Sequence, residues 1–357
     1  MVIIMRIGIV TFTFGDNFGQ RLQNYALQEY LKKYADCVMT IPQFEPPKSL
    51  RNKYRFVKNA IIHPKHTYYD WKRHQKFLNF DRDYIQYYCC QISDNSIPVK
   101  IDDDFDFFVC GSDQIWSPYS PFVNKTMFLT FTEKNKRISY AASIASNQIP
   151  SEKREQYSSY WRGFNEISIR ENTLRDYIER SSGVKANVHV DPTLLHDWRF
   201  WSKIMHEPGF QIEKEYVLCY FLGSIEQRDK VLSKFNLEAF DVVDIMNDKK
   251  YYSISPAEFL WLIFNSKFVI TDSYHGTLFS LIFHKPYVIA NRLGTEIDMN
   301  SRFETLTELL MLKNRNSDSL KASELYDIDF DFIDSRIAKE QTVTARYFSK
   351  YLSRIER

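Results

Sequence analysis

Apolar residues recur along the chain in short runs, separated by longer segments in which they repeat every three or four positions. The first pattern is typical of buried strands and the second of helices that pack on a sheet. The strands predicted in the first half are 6–12, 37–41, 106–110, 137–142, 166–169 and 187–190. Those predicted in the second half are 216–222, 241–245, 268–271 and 286–290. Their alternation with helices predicts an α/β fold with mostly parallel sheets.

Three of the predicted helices have clear signals. One follows the first strand, where six apolar residues share a face at helical spacing: Leu22, Ala26, Leu27, Tyr30, Leu31 and Tyr34. A second begins at Ser255, because Pro256 and Glu258 complete a capping-box pattern before an apolar run. A third, from about 334 to 355, is amphipathic and can lie back across either half.

At 357 residues the chain is long enough for two domains. We predict an N-terminal Rossmann-like domain at 1–205, a C-terminal one at 206–330, and a helix in 331–357 that packs back on them. The region from about 42 to 101 is an insertion rich in aromatic and basic residues. A solvated helical insertion is the favoured interpretation, and a lining for an acceptor site near a membrane is the alternative.

Bulk composition excludes several classes of protein. The net charge of +2 gives no sign of a nucleic-acid-binding surface. The five cysteines suit neither a disulfide framework nor paired zinc ligands, which favours a reducing, cytoplasmic setting. No apolar run is long enough to span a membrane, and Arg6 interrupts the first one, which favours a buried strand over a signal sequence. His63 and His66 lack a third ligand, so no metal site is predicted.

The clearest chemical signal is a strand that stops at a polar turn and reopens as an apolar helix, over 268–283. Ser273, His275, Gly276 and Thr277 occupy that turn. Ligands of parallel α/β domains bind at the carboxyl ends of strands, and the first free N–H groups of a helix favour an anion. His275 is therefore a candidate for binding a phosphate or transferring a proton.

Other strand ends carry polar residues that we expect at the same edge of the sheets. The candidates are Asp16, Asn17, Gly19, Gln20 and Arg21 after the first strand, Gly111, Ser112, Asp113 and Gln114 after the third, and Arg170 and Glu171 after the fifth. Each group has a structural alternative: a plain turn after the first strand, a structural cap at Asp113, and a salt bridge of Arg170 to Glu171 or to a neighbouring helix. Asp191-Pro192 is interpreted as a turn before the chain crosses to the second half.

Five motifs, in this order and spacing, resemble the polysaccharide pyruvyltransferase family. They are Asn17-Phe-Gly-Gln-Arg-Leu-Gln-Asn-Tyr-Ala-Leu-Gln28, Gly111-Ser-Asp-Gln-Ile-Trp116, Ser168-Ile-Arg-Glu171, Asp191-Pro-Thr193 and Thr271-Asp-Ser-Tyr-His-Gly276. The resemblance implies two Rossmann-like domains in a glycosyltransferase-B-like arrangement, with the active site in the cleft between them. It also implies phosphoenolpyruvate as donor, without a cofactor, and a sugar hydroxyl pair as acceptor. The product would be a pyruvate ketal on a surface polysaccharide, such as a capsule or exopolysaccharide, or on its lipid-linked precursor.

We expect the donor's two anionic groups to meet Arg170 of the first half and the turn at Ser273 to Thr277 of the second half, which is the donor side. The resemblance adds Arg302 as a third positive group. His275 is either the general acid or a phosphate ligand, with Asp113 or Asp16 as its partner. The remaining candidates line the acceptor side or the cleft. Some branches of the family have an arginine where this chain has Ser273, so that arginine's phosphate contact does not carry over.

Two alternatives to pyruvyl transfer remain open: a nucleotide-sugar-dependent glycosyltransferase, and a glycan-binding or assembly protein without catalysis. The expected location is cytoplasmic, at the inner face of a membrane if the acceptor is lipid-linked, with peripheral membrane association. The acceptor sugar and the oligomeric state are left open.

Overall fold

The computed structural model describes residues 5–43, 64–292 and 301–352. Part of the predicted insertion, His63 and the end of the last predicted helix lie outside these ranges. The first half contains β1 (Arg6–Val10), α1 (Phe18–Leu31), β2 (Cys37–Thr40), α2 (Pro64–Tyr84), α3 (Ile101–Asp104), β3 (Phe107–Cys110), β4 (Arg137–Ser139), α4 (Arg154–Arg162), β5 (Ile167–Ile169), α5 (Arg175–Ser182), β6 (Ala186–Val188) and α6 (Trp198–Ser202).

Strands β1 to β4 form one parallel sheet in the order β2-β1-β3-β4. Strands β5 and β6 pair in parallel beside it, and a single bridge between Ala142 and Ile169 connects the pair to the chain that leaves β4. The carboxyl ends of these strands therefore face the same way, and the loops that follow them are neighbours.

The second half repeats this plan. It contains β7 (Tyr216–Tyr220), α7 (Ile225–Leu232), β8 (Asp241–Asp244), α8 (Lys249–Tyr252), α9 (Pro256–Asn265), β9 (Phe268–Thr271), α10 (Tyr274–Ile282), β10 (Tyr287–Ile289), α11 (Ser301–Leu310) and α12 (Phe330–Leu352). Its sheet is also parallel, in the order β10-β9-β7-β8. All ten predicted strands are confirmed, most of them one to three residues shorter than predicted.

Helix α9 begins as its sequence predicts. The Ser255 side chain accepts from the Glu258 N–H, the Glu258 carboxylate accepts from the Ser255 N–H, and Pro256 occupies the first turn. The pair satisfies two N–H groups that the helix leaves without an internal partner. Phe259 in this helix stacks on Phe18 of α1, with the ring centroids 4.5 Å apart and the planes 3° from parallel. One apolar core therefore continues from the first half into the second.

Helix α2 lies between the two halves and binds both. On the first-half side, Arg21 Nε donates to Asp81 Oδ2 over 3.0 Å. On the second-half side, Lys76 Nζ lies 2.6 Å from Glu258 Oε1, and Arg73 Nη1 donates to the Tyr252 carbonyl. Helix α2 is thus solvated on one face only, because its other face contacts both halves.

The last helix also touches both halves. In the first half, Tyr347 Oη donates to the Ser139 carbonyl over 2.8 Å, and Lys350 Nζ lies 2.6 Å from a Glu166 oxygen. In the second half, Arg336 donates to the Leu309 carbonyl. Helix α12 therefore contacts both halves, while the division of the chain into domains at 205 and 330 stays a prediction. Within the described ranges, no helix is both long and apolar enough to cross a membrane.

The ion pair between Arg21 and Asp81, which holds α2 on the first half, gives a first testable prediction. Asp81→Ala would leave the Arg21 guanidinium buried without its carboxylate, and such a loss costs about 3–5 kcal/mol of folding free energy. Asp83→Ala, on the same helix, removes only an exposed pair with Arg82 and should stay within about 0.5 kcal/mol. Urea unfolding of both variants checks this. Equal midpoints for the two would show that the buried pair does not hold α2 in place.

A buried arginine, histidine and aspartate cluster as candidate active site

The centre of the cluster is the carboxylate of Asp191, which is fully buried. Asp191 comes shortly after β6 and caps a short helical turn, since its Oδ1 accepts from the Thr193 N–H over 3.0 Å. Its Oδ2 accepts from Arg170 Nη1 over 2.8 Å and lies 3.1 Å from Ser112 Oγ. The loops after β3, β5 and β6 therefore meet at one carboxylate. Asp191 thus connects three loops, whereas the sequence predicted only a turn before the chain crosses to the second half.

The second half contributes His275, on the first turn of α10. Its Nε2 lies 3.5 Å from Asp191 Oδ2, which is within ion-pair distance when the imidazole is protonated. The other ring nitrogen faces α1, because a Cβ built on Gly19 would lie 2.0 Å from Nδ1. A side chain at position 19 would displace the imidazole. Gly19 is thus required where the first helix of one half approaches the histidine turn of the other.

The electrostatics keep this centre ionised. Burial on its own raises the pKa of the Asp191 carboxyl, but the charges of His275 and Arg170 outweigh it and hold that pKa below its usual value. Burial likewise opposes the charge on Arg170, yet Asp191 and Glu171 raise the pKa of its guanidinium. Arg170 and Asp191 are therefore a buried ion pair, which connects β5 to the chain after β6.

Two guanidinium groups flank the ring of Tyr274. The Cζ of Arg170 lies 4.7 Å from the ring centroid and that of Arg302 lies 5.5 Å from it. Burial, followed by the charge of Arg170, lowers the pKa of Arg302 to about 10. Burial raises the pKa of the Tyr274 phenol, so the ring stays neutral between two cations. Tyr274 was not among the predicted site residues.

Two further carboxylates stand near Arg170. Asp113 Oδ1 lies 3.9 Å from its Nη2, and Glu171 Oε1 lies 3.7 Å from its Nε. Both nitrogens are buried and make no hydrogen bond to the described residues. Glu171 is fixed elsewhere, because it accepts from the Ser143 hydroxyl and from the Ile144 N–H. Arg170 therefore keeps unused donors beside its ion pair.

The loop after β3 is held from two sides. The Ser112 N–H donates to Gln23 Oε1 over 3.0 Å, and Gln23 Nε2 donates to Thr11 Oγ1 over 3.0 Å. Gly111 has φ +131°, and a Cβ there would lie 1.9 Å from the Tyr140 carbonyl oxygen, so only glycine fits. Gln23 is thus a positioning residue that the apolar pattern of α1 did not reveal.

Several predicted site residues have other contacts. Asp16 lies 2.9 Å from His74 Nδ1, Asn17 caps α1 by accepting from the Gln20 N–H, and the Arg21 side chain is paired with Asp81. Neither Asp16 nor Asp113 is the carboxylate beside His275, and this expectation is corrected in favour of Asp191. The Gln20 and Gln114 side chains are half-buried near the same loops.

The histidine turn has the geometry of an anion site at a helix start. Ser273 caps α10, with its Oγ 3.4 Å from the Gly276 N–H. A Cβ on Gly276 would lie 2.7 Å from Thr271 Oγ1, so the helix can start this close to β9 only with glycine there. Thr277 Oγ1 is buried without a hydrogen bond in the part of the chain that the structure describes.

Arg292 is a further cation at this edge that the sequence analysis did not select. Its Nε lies 3.2 Å from Asp272 Oδ2 and its Nη2 donates to the Asp272 carbonyl. Asp272 also accepts from the Leu222 and Gly223 N–H groups. Arg292 is therefore held beside the residue that precedes Ser273. Among the residues described, no group of three His, Cys, Asp or Glu side chains is placed to hold a metal ion.

Comparison with solved structures identifies the fold. A Listeria monocytogenes protein described as a putative UDP-N-acetylglucosamine 2-epimerase matches with a TM-score of 0.50 at 10% identity, over 98% of this chain and 97% of that one. A glycosyltransferase from Rickettsia africae matches with a TM-score of 0.49 at 12% identity, over 98% and 99%. Together with the two parallel sheets, the first likeness confirms the glycosyltransferase-B-like arrangement of two Rossmann-like domains.

No curated protein sequence matches the chain significantly. The model of one protein family does, and it is described as polysaccharide pyruvyl transferase. The match runs over residues 17–291, from the cap of α1 to the residue before Arg292, and so includes every loop that meets at Asp191. The chain therefore belongs to the polysaccharide pyruvyl transferase family of transferase enzymes.

Proposed function

We propose that the protein transfers a pyruvyl group from phosphoenolpyruvate to two hydroxyl groups of one sugar, giving a cyclic ketal on a polysaccharide or its lipid-linked precursor. The observation that carries this proposal is the pair of buried guanidinium groups of Arg170 and Arg302 beside His275. Arg170 has two buried nitrogens that make no hydrogen bond to a described residue, and buried cations favour a ligand that brings negative charge.

Phosphoenolpyruvate carries a carboxylate and a phosphate, and the cluster offers a partner for each. The planar guanidinium groups of Arg170 and Arg302 can each hold an anion through two parallel hydrogen bonds. The free N–H groups at the start of α10 suit the phosphate. Ser273 provides no charge there, so we assign the missing positive charge to Arg302 and to Arg292, whose side chain reaches the same turn through Asp272.

The reaction is balanced without a redox change. The methylene carbon of the donor gains one proton, and its C2 bonds to both sugar oxygens while its bond to the phosphate oxygen breaks. One hydroxyl proton is accounted for in the new methyl group, and the other leaves with inorganic phosphate. His275 suits the proton transfer, because its Nε2 lies beside Asp191 and its Nδ1 lies where Gly19, which has no side chain, leaves room for it.

Calorimetric titration with phosphoenolpyruvate, UDP and UDP-N-acetylglucosamine tests the proposal directly. We expect binding of phosphoenolpyruvate alone. The nucleotide sugar belongs in the series because the description of the Listeria neighbour names one. Binding of a nucleotide and not of phosphoenolpyruvate would move the protein to nucleotide-sugar-dependent transfer. Glycan binding without donor binding would indicate a role without catalysis.

The role given to Arg302 leads to a prediction with two readouts. Arg302→Met keeps an unbranched apolar side chain and removes the charge, so phosphoenolpyruvate should bind about 10- to 100-fold more weakly. Burial lowers the pKa of Arg302, so the fold disfavours its charge, and the ligand-free variant should unfold within a few degrees of the wild type. Calorimetry and thermal unfolding measure the two effects. Arg199→Met, at an exposed position, is the control.

A second prediction separates the two roles open to His275. If the imidazole protonates the donor, His275→Gln should lower kcat by about 10²- to 10⁴-fold and leave the Kd of phosphoenolpyruvate within a few-fold of the wild type. A similar loss in affinity would instead assign His275 to phosphate binding. Release of inorganic phosphate with a sugar acceptor gives kcat, and calorimetry gives Kd. Unchanged values of both would exclude His275 from the site.

The close approach of the His275 ring to Gly19 gives a third prediction for the site. Gly19→Ala places a methyl group where the His275 ring stands, so kcat should fall at least about tenfold while the chain stays folded. Gly209→Ala is the matched control, since a Cβ there meets nothing within 4 Å. Phosphate release and circular dichroism are measured for both. Full activity in Gly19→Ala would show that the position of the ring is not critical.

A further inference from the structure

The second half contains a cavity of about 530 Å³ between α11 and the segment 314–319. We propose that this cavity is an acceptor subsite, which holds a saccharide unit of the glycan next to the one that receives the pyruvyl group. This inference rests on the proposed function and deepens it. It also moves part of the acceptor contact to the second half, whereas the sequence places it in the first.

The position of the cavity fits this role. Ile289 and Asn291 line it where β10 ends, which is the edge at which ligands of parallel sheets bind. Its aromatic wall is Phe303, whose ring centroid lies 5.7 Å from that of Tyr274. Tyr274 in turn stacks against Arg170 and precedes His275. The cavity is therefore one side chain away from the cluster.

The polar groups of the wall are fixed before any ligand arrives. Asn316 Nδ2 donates to Asn291 Oδ1 over 2.7 Å, and Asn314 Oδ1 accepts from the Asn316 N–H over 2.9 Å. Asn291 Nδ2 is held by Asp318 over 3.3 Å. Amides held in place by one another lose little freedom when they bind a ligand. A rigid row of amides beside an aromatic ring suits the polar edge and the apolar face of a pyranose.

The charges of the wall favour a neutral polyhydroxyl ligand. Glu304 and Glu308 lie one turn apart on α11, line the cavity and are exposed, and neither has an ion pair with a described residue. The guanidinium of Arg315 is engaged by the carbonyls of Tyr287 and Glu324. Because the described residues that line the cavity offer these two carboxylates no free cation, a phosphate or a nucleotide diphosphate is disfavoured, whereas sugar hydroxyls can donate to both.

Saturation-transfer NMR with the methyl glycosides of glucose, galactose, mannose and N-acetylmannosamine, at millimolar concentration, tests the inference on the intact chain. We expect at least one of them to bind the wild type. Thr307→Trp, which fills the cavity, should abolish its signal, and the shape-preserving double change Glu304→Gln and Glu308→Gln should weaken binding about tenfold. Thr307→Ser and Glu226→Gln, the latter outside the cavity, are the matched controls.

Phosphoenolpyruvate titrations on the same samples keep the two hypotheses apart. The cavity variants should bind the donor like the wild type. Sugar binding that is unchanged in all cavity variants would overturn the subsite. So would a wild type that binds none of the four glycosides while still binding phosphoenolpyruvate, and the proposed function would then stand. A wild type that does not bind phosphoenolpyruvate would contradict the proposed function itself.

Discussion

The arrangement of the site depends on the buried ion pair of Asp191 and Arg170. A carboxylate without solvent is tolerated only if cations and hydrogen-bond donors surround it, and here Arg170, Ser112 and Thr193 do so from three different loops of the first half. The same carboxylate lies 3.5 Å from Nε2 of His275, which comes from the second half. The strand ends of the first half and the histidine turn of the second half therefore meet at one carboxylate.

The two halves meet at this point because other contacts hold them in register. Helix α2 is paired with Arg21 of the first half and with Glu258 of the second, and α12 spans from Glu166 to Leu309. Phe18, stacked on Phe259, continues the apolar core between them. The tight contact of Gly19 with the His275 ring requires these contacts between the halves. A small rotation of one half would separate the ring from Gly19 or make them overlap. The precision of the site is thus a property of both halves together.

The sequence predicted what depends on short-range patterns. Apolar runs gave all ten strands, the Ser255 capping box gave the start of α9, and five ordered motifs gave the family and its fold. It missed Asp191 as the centre of the site, because Asp-Pro has a complete local explanation as a turn. It also offered Asp16 as a partner for His275, because both lie at strand ends, whereas Asp16 pairs with His74 on α2. Which carboxylate meets the histidine depends on how the halves are packed, and no local pattern reports that.

The two arginines of the cluster are not equivalent. Asp191 and Glu171 raise the pKa of Arg170, so its charge is favoured by the fold before any ligand binds. The pKa of Arg302 is lowered to about 10 by burial and by the charge of Arg170, so its charge is held at a cost. A group kept charged in an unfavourable place has most to gain from an incoming anion. Arg170 therefore primarily positions the strand ends, and under the proposed function Arg302 gains more than Arg170 from the charge of an anionic donor. The sequence favoured Arg170 because it follows a strand, whereas Arg302 lies on a helix start that only the packing of α11 against Tyr274 brings to the site.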